Sequence, residues 1–260
     1  MKKSFHYALC IMICALFFAG CGGNSNPQEK FVVGLDESPL GFRNEKGEFI
    51  GFEIELAKET AKRMGVTIEF KLINWVDKEK ELEAGNIDAI WNGLDITPER
   101  KKVMLFSKPY MDNRQIIMVR KGDNRDIYSE GDLKGRIVGA KAGTTSAIYI
   151  ENNEKLKDSL AGFKIYVTDE EAFEDLENGN ADAIVCDEII GCFEMIRNRN
   201  EFELVNITVG KACEMGIGFR KNDTELRDRV QKAFDEIIKD GTAKKISEQW
   251  FGADLIKLRK

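Results

Sequence analysis

Histidine is almost absent from this sequence, whose 260 residues include only His6. This residue lies in an N-terminal segment, residues 1–20, where Lys2 and Lys3 precede an apolar run at residues 7–18. Such a segment is typical of an export signal peptide that is removed, and the run is too short to span a bilayer comfortably. The mature chain would then contain no histidine. This excludes Ser-His-Asp and Cys-His catalytic pairs, a histidine general base and the commonest zinc ligand.

Cysteine is scarce and forms no CxxC pair. Of six cysteines, two lie in the signal segment, and those that follow are Cys21, Cys186, Cys192 and Cys213. If Cys21 is modified, the three remaining cysteines of the mature chain allow at most one disulfide and one free thiol. We therefore expect neither a metal site nor a cofactor.

Positive charge and long apolar runs are also lacking. The formal net charge is −6, from 39 Lys and Arg against 45 Asp and Glu, and removal of Lys2 and Lys3 makes it −8. An acidic chain is a poor partner for nucleic acid or an anionic membrane surface. No later run is apolar enough to cross a bilayer. With 43% hydrophobic residues, the composition fits a globular protein of one large or two small domains.

Nucleotide-binding motifs are missing as well. The loop KAGTTS at residues 141–146 lacks the Lys-Ser/Thr pair of a Walker A loop. GIG at residues 216–218 lacks the third glycine of a dinucleotide fingerprint. The sequence therefore gives no support to nucleotide binding.

The end of the signal segment, FAGC at residues 18–21, resembles the lipobox of bacterial lipoproteins, in which the cysteine becomes the lipidated first residue. Phe18 stands where that motif usually has leucine. The polar stretch at residues 21–30 is typical of a flexible tether. We expect a lipid on Cys21, and the alternative is an unmodified cysteine in an ordinary signal.

The most informative stretch of the remaining chain is residues 85–110. It opens with a predicted strand at residues 87–91, which breaks at Asn92-Gly93. The missing Cβ of Gly93 permits a tight turn and the close approach of other groups.

A helix is predicted directly after this turn. Thr97 suits the N-cap, and Pro98 suits the first helical position because its missing N–H would be unpaired there. Arg100 then lies in the first turn, where the helix dipole slightly disfavours a cation. A bound carboxylate would account for an arginine at this position, and the alternative is an ordinary surface arginine.

An internal repeat is the second informative feature. LEAGNIDAI at residues 82–90 recurs as LENGNADAI at residues 176–184, a separation of 94 residues. Each copy predicts a helix ended by glycine and then a buried strand; the second helix begins with a Thr168–Glu171 capping box. Acidic loops follow both strands. In open α/β sheets ligands bind beyond the carboxyl ends of strands, so two such lobes predict a shared cleft. The alternative is a packing repeat without a ligand.

The rest of the pattern alternates strands and helices. The predicted strands are residues 31–35, 66–72, 115–120 and 136–140, and the predicted helices are residues 51–64, 78–84, a segment opening at residue 146 and two segments on either side of residue 241. Asp36 follows the first strand. Trp75 follows the second in a loop, where it is either a core side chain or a flat wall for a ligand.

A series of motifs resembles one family, the bacterial extracellular solute-binding proteins of polar amino acid ABC transporters. In chain order the motifs are VGLD (33–36), GFEIELAKETAKRMG (51–65), ITPERKK (96–102), FSKPY (106–110), LKGRIVGAKAGTT (133–145), NGNADAIVCD (178–187) and DGTAKKISEQWFG (240–252). Each motif is weak alone. Their order makes the resemblance specific, and it covers residues 31–252.

The resemblance implies an α/β, two-lobed periplasmic-binding-protein fold of type II, with two hinge strands and a ligand cleft between the lobes. Lobe 1 would comprise residues 31–115 and 214–260, and lobe 2 residues 116–213. Residues 1–20 would be the signal peptide and residues 21–30 the lipid-anchored tether.

The resemblance also implies how the two ends of an amino acid are held. Arg100 would bind the α-carboxylate, helped by the backbone and side chain near Thr145. Asp187 would bind the α-ammonium, with a hydrogen bond to the Gly93 carbonyl. A zwitterion needs one cation and one anion at a fixed separation, and residues on opposite lobes supply them together only when the lobes close.

Four further predicted site residues would surround the ligand side chain or the carboxylate. Trp75 falls where the family often has an aromatic residue packed on the side chain of the ligand. Asp36 and Lys141 fall at positions that reach toward the far end of that ligand side chain. Asp95 stands where Ser or Thr often binds the carboxylate. The acids favour a cationic ligand, whereas Lys141 opposes one unless Asp95 pairs with it. We expect arginine or lysine ahead of glutamine or cystine.

The expected function is therefore that of a substrate-binding component of an ABC importer, acting as a monomer and not as an enzyme. It would be exported, to the periplasm or the outer face of the cell membrane, and would deliver a polar L-amino acid to a membrane permease. The alternative is a periplasmic dehydratase of cyclic acids on the same fold. Asp187 separates the two, since it suits an amino group that such a cyclic acid lacks.

Overall fold

The computed structural model describes residues 29–123, 126–198 and 200–257. The expected signal peptide and Cys21 lie outside these residues. Glu29 and Lys30, expected at the end of the tether, belong to the fold instead, because Glu29 pairs with Arg229 at 2.8 Å and Lys30 begins the first strand.

The described residues alternate strands and helices, as expected. The strands are β1 (Lys30–Leu35), β2 (Phe42–Arg43), β3 (Phe49–Ile50), β4 (Thr67–Leu72), β5 (Ala89–Ile90), β6 (Met104–Phe106), β7 (Met111–Arg120), β8 (Ile137–Lys141), β9 (Gly162–Tyr166), β10 (Ala183–Asp187), β11 (Phe202–Met215) and β12 (Gly218–Arg220). The α-helices are α1 (Phe52–Met64), α2 (Lys78–Glu83), α3 (Pro98–Val103), α4 (Thr145–Asn152), α5 (Glu154–Ser159), α6 (Asp169–Glu177), α7 (Glu188–Arg197), α8 (Thr224–Lys239) and α9 (Thr242–Phe251). Two 3₁₀ turns occupy Trp75–Asp77 and Glu130–Leu133.

Two five-stranded sheets define two lobes. The sheet of lobe 1 has the order β4-β1-β5-β12-β6, with β1 parallel to β4 and β5 and with β12 antiparallel to its neighbours. The sheet of lobe 2 has the order β11-β7-β10-β8-β9, with β8 parallel to β9 and β10 and with β7 antiparallel to its neighbours. The expected two-lobed α/β architecture is confirmed.

The paired strands β7 and β11 connect the lobes. Their antiparallel register runs from Met111 opposite Met215 to Arg120 opposite Phe202, with two register shifts. At the lobe 1 end, the Tyr110 N–H donates to the Met215 carbonyl at 3.0 Å. These are the two hinge strands expected from the sequence. The lobe boundaries expected at 115/116 and 213/214 fall inside them and stay a prediction, because both strands are continuous there.

The end of α1 and the start of α6 agree with the local sequence signals that predicted them. Gly65 ends α1 in the left-handed region with a φ of 71°, and the predicted apolar face of α1 packs in the lobe 1 core. Thr168 begins α6 with the predicted capping box. The loop expected around Asn74-Trp75 is instead a 3₁₀ turn, since the Asn74 side chain accepts from the Val76 N–H at 3.1 Å.

The sequence repeat is also a structural repeat. Asp88 and Asp182 occupy matching places: Asp88 accepts from the Val32 N–H at 2.9 Å and Asp182 from the Ile137 N–H at 2.7 Å. Each aspartate thereby joins its copy to the neighbouring parallel strand. In the first copy, only Ala89–Ile90 (β5) of the strand predicted at residues 87–91 pairs in the sheet.

Candidate functional site

All eight site residues predicted from the sequence line one cavity of about 40 Å³ where the lobes meet. They are Asp36, Trp75, Gly93, Asp95, Arg100, Lys141, Thr145 and Asp187. The cavity lies at the ends of β1, β8 and β10 and at the starts of α3 and α4. The resemblance thus predicted residues that tertiary packing does bring together.

Arg100 is positioned by the first turn of α3. Thr97 caps this helix by accepting from the Arg100 N–H at 3.2 Å, and Pro98 occupies the first position as predicted. The Arg100 side chain is 7% exposed; its Nη1 donates to the Asp95 carbonyl at 3.0 Å and to Thr145 Oγ1 at 3.4 Å. Its Nη2 donates to the Gly143 carbonyl at 3.2 Å. Arg100 therefore belongs to lobe 1 and contacts lobe 2.

Asp187 lies at the end of β10, and its carboxylate meets that of Asp95 through two amides. Asn113 Nδ2 donates to one oxygen of each carboxylate, at 2.8 Å in both cases. Gln115 Nε2 donates to Asp187 at 2.7 Å and to Asp95 at 3.3 Å. Burial, reinforced by the charge of Asp95, raises the pKa of Asp187 to about 7. This end of the cavity therefore holds paired carboxylates rather than one.

Lys141 is paired within the site, although not with the residue considered from the sequence. Its Nζ lies 2.7 Å from Asp36 and 3.0 Å from Asp169. Burial alone would lower the pKa of Lys141, but Asp169 and Asp36 outweigh burial and the pKa is raised. Asp95 instead faces the hinge amides. Two carboxylates thus surround one ammonium at this end of the cavity.

Trp75 and Gly93 complete the predicted set. Trp75 is a core side chain of lobe 1, with only 8% exposed, and it also lines the cavity, so its contact with a ligand stays a prediction. Gly93 adopts a φ of 65°, and its N–H donates to Glu53 at 2.7 Å. This left-handed backbone conformation favours glycine in the turn, because other L-residues adopt it only with strain.

Arg100 and Asp187 thus reach one crevice from opposite lobes, the arrangement that the motifs implied. The family model of the bacterial extracellular solute-binding proteins, family 3, matches residues 31–253. The chain belongs to this family.

Similar proteins agree with that assignment. The chain is 33% identical over 228 residues to the L-cystine-binding protein TcyJ of Escherichia coli K12, covering 87% of this chain and 84% of TcyJ. A substrate-binding protein of an ABC uptake transporter from Streptococcus pneumoniae, solved with bound histidine, superposes with a TM-score of 0.82 at 33% identity, covering 88% and 95% of the two chains. An ancestral arginine-binding protein bound to arginine superposes with a TM-score of 0.79 at 38% identity, covering 86% and 99%.

These structures confirm the type II periplasmic-binding-protein fold. Family 3 proteins and the relatives above bind solutes and are not enzymes, so the dehydratase alternative finds no support in them. The family is extracellular by definition, in line with the expected export.

Several residues in or next to the cavity of this family 3 protein were missed from the sequence; of these, Asp169 and Ser146 line it. Asp169 is the first residue of α6, directly after its predicted N-cap, and that placement beside the cleft was a usable signal. Asn113 and Gln115 lie on β7 and gave no local signal. Ser146, whose hydroxyl donates to Gln115 Oε1, belongs to the predicted helix start after Lys141.

The three cysteines within the described residues form no disulfide. Cys186, Cys192 and Cys213 are free thiols. Burial raises the pKa of Cys186, which lines the cavity, well above its usual value. Among the described residues, no cluster of metal-ligating side chains occurs, and no helix has the length and apolar character to cross a bilayer.

Proposed function

We propose that this protein captures a polar L-amino acid between its lobes and delivers it to the permease of an ABC importer. The observation that carries the proposal is the placement of Arg100 from lobe 1 and Asp187 from lobe 2 on one buried cavity. The names of the relatives, which bind cystine, histidine or arginine, support the same class of ligand.

The α-carboxylate of the ligand pairs with Arg100 and Thr145, and the α-ammonium pairs with Asp187 and the Gly93 carbonyl. Each charge-assisted hydrogen bond contributes roughly 1.5–3 kcal/mol net. Micromolar affinity needs about 8 kcal/mol, so three or four such bonds suffice once ordering is offset. Because the partners lie on both lobes, binding favours the closed form, whose shape a permease can select.

The far end of the cavity favours a positively charged side chain. Asp36 and Asp169 carry two negative charges against the single positive charge of Lys141, so a further cation is attracted there. Trp75 packs on the aliphatic part of the side chain. L-Arginine and L-lysine are therefore the first candidates, ahead of L-glutamine.

L-Cystine is the second candidate, and the pairing of Lys141 favours it. The far half of cystine carries both an ammonium and a carboxylate. Lys141 suits that carboxylate, and Asp36 or Asp169 suits that ammonium. Similarity to TcyJ agrees with this alternative.

A panel of amino acids in thermal unfolding tests the proposal. We expect one or two of L-arginine, L-lysine, L-cystine and L-glutamine to raise the midpoint. At a thousandfold excess over the dissociation constant, binding adds about 4 kcal/mol, or roughly ten degrees for a chain of this size. If no amino acid moves the midpoint, the proposed function is wrong.

Replacement of Arg100 separates the site from the fold. Arg100→Ala should lose the ligand-induced rise while the protein still unfolds cooperatively. Arg43→Ala is the matched control, since the Arg43 side chain is 48% exposed and does not line the cavity. A rise that survives in Arg100→Ala removes Arg100 from the site.

Anchoring forms a separate part of the proposal. We propose that export leaves Cys21 as a lipidated N-terminal residue that holds a monomer at the outer face of the cell membrane. The mass of the protein recovered from membranes tests this: a diacylated Cys21 supports it, and a cleaved but unmodified cysteine contradicts it.

A further inference from the structure

Two hinge-strand amides connect the carboxylates of opposite lobes. Asn113 is 5% exposed and Gln115 is 1% exposed. Both lie on β7, and each donates from one nitrogen to Asp95 of lobe 1 and to Asp187 of lobe 2, at 2.7–3.3 Å. Neither residue was predicted from the sequence.

The hydrogen bonds from Asn113 and Gln115 offset the electrostatic cost of burying Asp95 next to Asp187. Two buried carboxylates side by side disfavour each other's ionisation, and both must lose hydration to reach this position. Asp187 is also faced by Asp169 from α6 and lies near the thiols of Cys186 and Cys213, none of which supplies positive charge. The two amides supply the donors that the pair needs.

The amides themselves are held in place. The Ser146 hydroxyl donates to Gln115 Oε1, which fixes the Gln115 amide with its nitrogen towards the carboxylates. At Asp187 both amides act on the same oxygen, Oδ1. Ser146 lies in the first turn of α4, so lobe 2 also orients the hinge residue.

We propose that Asn113 and Gln115 are positioning residues that keep Asp187 ionised beside Asp95 in the closed cleft, so that the two carboxylates together bind the ligand ammonium. We assign the ammonium to Asp187 Oδ2. This inference rests on the proposed function and adds residues that act through Asp187 without touching the ligand.

The pH dependence of affinity distinguishes positioning from simple structural support. Asp187 must be ionised to bind an ammonium, and its pKa of about 7 means that affinity falls as pH drops below that value. Hydrogen bonds to a carboxylate favour its charged form, so removing an amide raises the pKa further. Each unit below the pKa lowers affinity up to about tenfold.

The experiment is isothermal titration with L-arginine from about pH 5.5 to about pH 8. We expect the midpoint of the affinity profile to move upward in Asn113→Leu and Gln115→Met, so that the loss of affinity relative to the wild type is largest at the low end of this pH range and shrinks as pH rises above neutral. Comparison of the proteins at equal pH cancels the titration of the ligand. Asn206→Leu is the matched control, because Asn206 is an exposed amide on β11 that bonds Arg114.

A loss of affinity that is the same at every pH overturns the proposal, since it indicates a structural role only. An unchanged profile overturns it as well. If L-arginine does not bind, the carboxyl signal of Asp187, assigned with Asp187→Asn and followed by ¹³C NMR in the ligand-free protein, gives the answer. An Asp187 pKa near 7 in the wild type and higher in the variants supports the role of the amides. In that case only the choice of L-arginine as ligand is wrong. If a variant does not fold, a wild-type Asp187 signal that stays protonated up to about pH 8 overturns the proposal, because the amides then do not keep this carboxylate ionised, and a signal that ionises at or below about pH 7 supports it.

Discussion

Glu53 is a fully buried carboxyl group behind the candidate site, with 1% exposed. It accepts hydrogen bonds from the Tyr110 hydroxyl and, at 2.7 Å, from the Gly93 N–H. Burial raises the pKa of Glu53 to about 7 from its usual 4.5, against the smaller opposing effect of these two hydrogen bonds. The Glu53 carboxyl group therefore connects α1 to Tyr110, directly before hinge strand β7, and to the turn at Gly93.

Glu53 should make stability depend on pH in a defined direction. Between about pH 4.5 and pH 7 the unfolded chain has lost this proton and the folded protein retains it, so the free energy of unfolding falls as pH rises. Above neutral pH the wild type should have lost at most about 3 kcal/mol of stability through the ionisation of Glu53. Glu53→Gln imitates the protonated form, so the variant should lack this pH-dependent loss. Urea unfolding at several pH values measures it.

The exposed Glu69→Gln serves as control for that experiment. A variant at Glu53 that loses as much stability as the wild type between those pH values would show that the group titrates normally.

At the scale of elements, α3 connects an N-cap to Arg100, whose side chain lines the candidate site. The helix has six residues, and the Thr97 side chain accepts from the N–H of Arg100 itself. A short helix has little stability of its own, so its cap and its packing determine where it begins. The geometry of the Arg100 guanidinium is thus partly set by the hydroxyl three residues before it.

Thr97→Ala should lower the free energy of unfolding by about 1 kcal/mol and also weaken amino-acid binding. Asn153→Ala is the matched control, because Asn153 caps the six-residue helix α5 by accepting from the Leu156 N–H and does not line the cavity. The control should lose similar stability and keep its affinity. Equal affinities in the two variants would show that the cap does not orient Arg100.

At the scale of the whole molecule, the lobes meet closely at Gly143. Its carbonyl accepts from Arg100 and, at 3.0 Å, from the buried Nζ of Lys78, both of lobe 1. Gly143 has a φ of 71°, and a Cβ there would lie 3.2 Å from Val76 Cα and 3.3 Å from the Trp75 carbonyl. Backbone rather than a flexible side chain occupies this space, so a side chain at this position would crowd the contact between the lobes.

Gly143→Ala should therefore weaken amino-acid binding by hindering closure. Gly135→Ala is the control, since Gly135 also lies in lobe 2 with a φ of 75° but has nothing within 4 Å of an added Cβ. Both variants should lose about 1 kcal/mol of stability from the left-handed backbone. Binding isotherms should show lower affinity only for Gly143→Ala; equal affinities would mean that the lobes close without this contact.

What the sequence by itself determined were features encoded by neighbours along the chain. The caps of α3 and α6, the glycine end of α1 and the repeated helix–strand unit depend on backbone groups within a few residues, so local chemistry specifies them. The ordered motifs then implied the eight cavity residues. They did so by resemblance and not by geometry.

Only the tertiary structure decided which charges are partners. Lys141 pairs with Asp36 and Asp169 rather than Asp95, and Asp95 meets Asp187 through Asn113 and Gln115. These residues lie far apart along the chain, and of these charged pairs only Lys141 and Asp169 share a lobe. No local pattern encodes such contacts, because they exist only when the chain folds and, for Asp36 with Lys141 and Asp95 with Asp187, only when the two lobes approach each other.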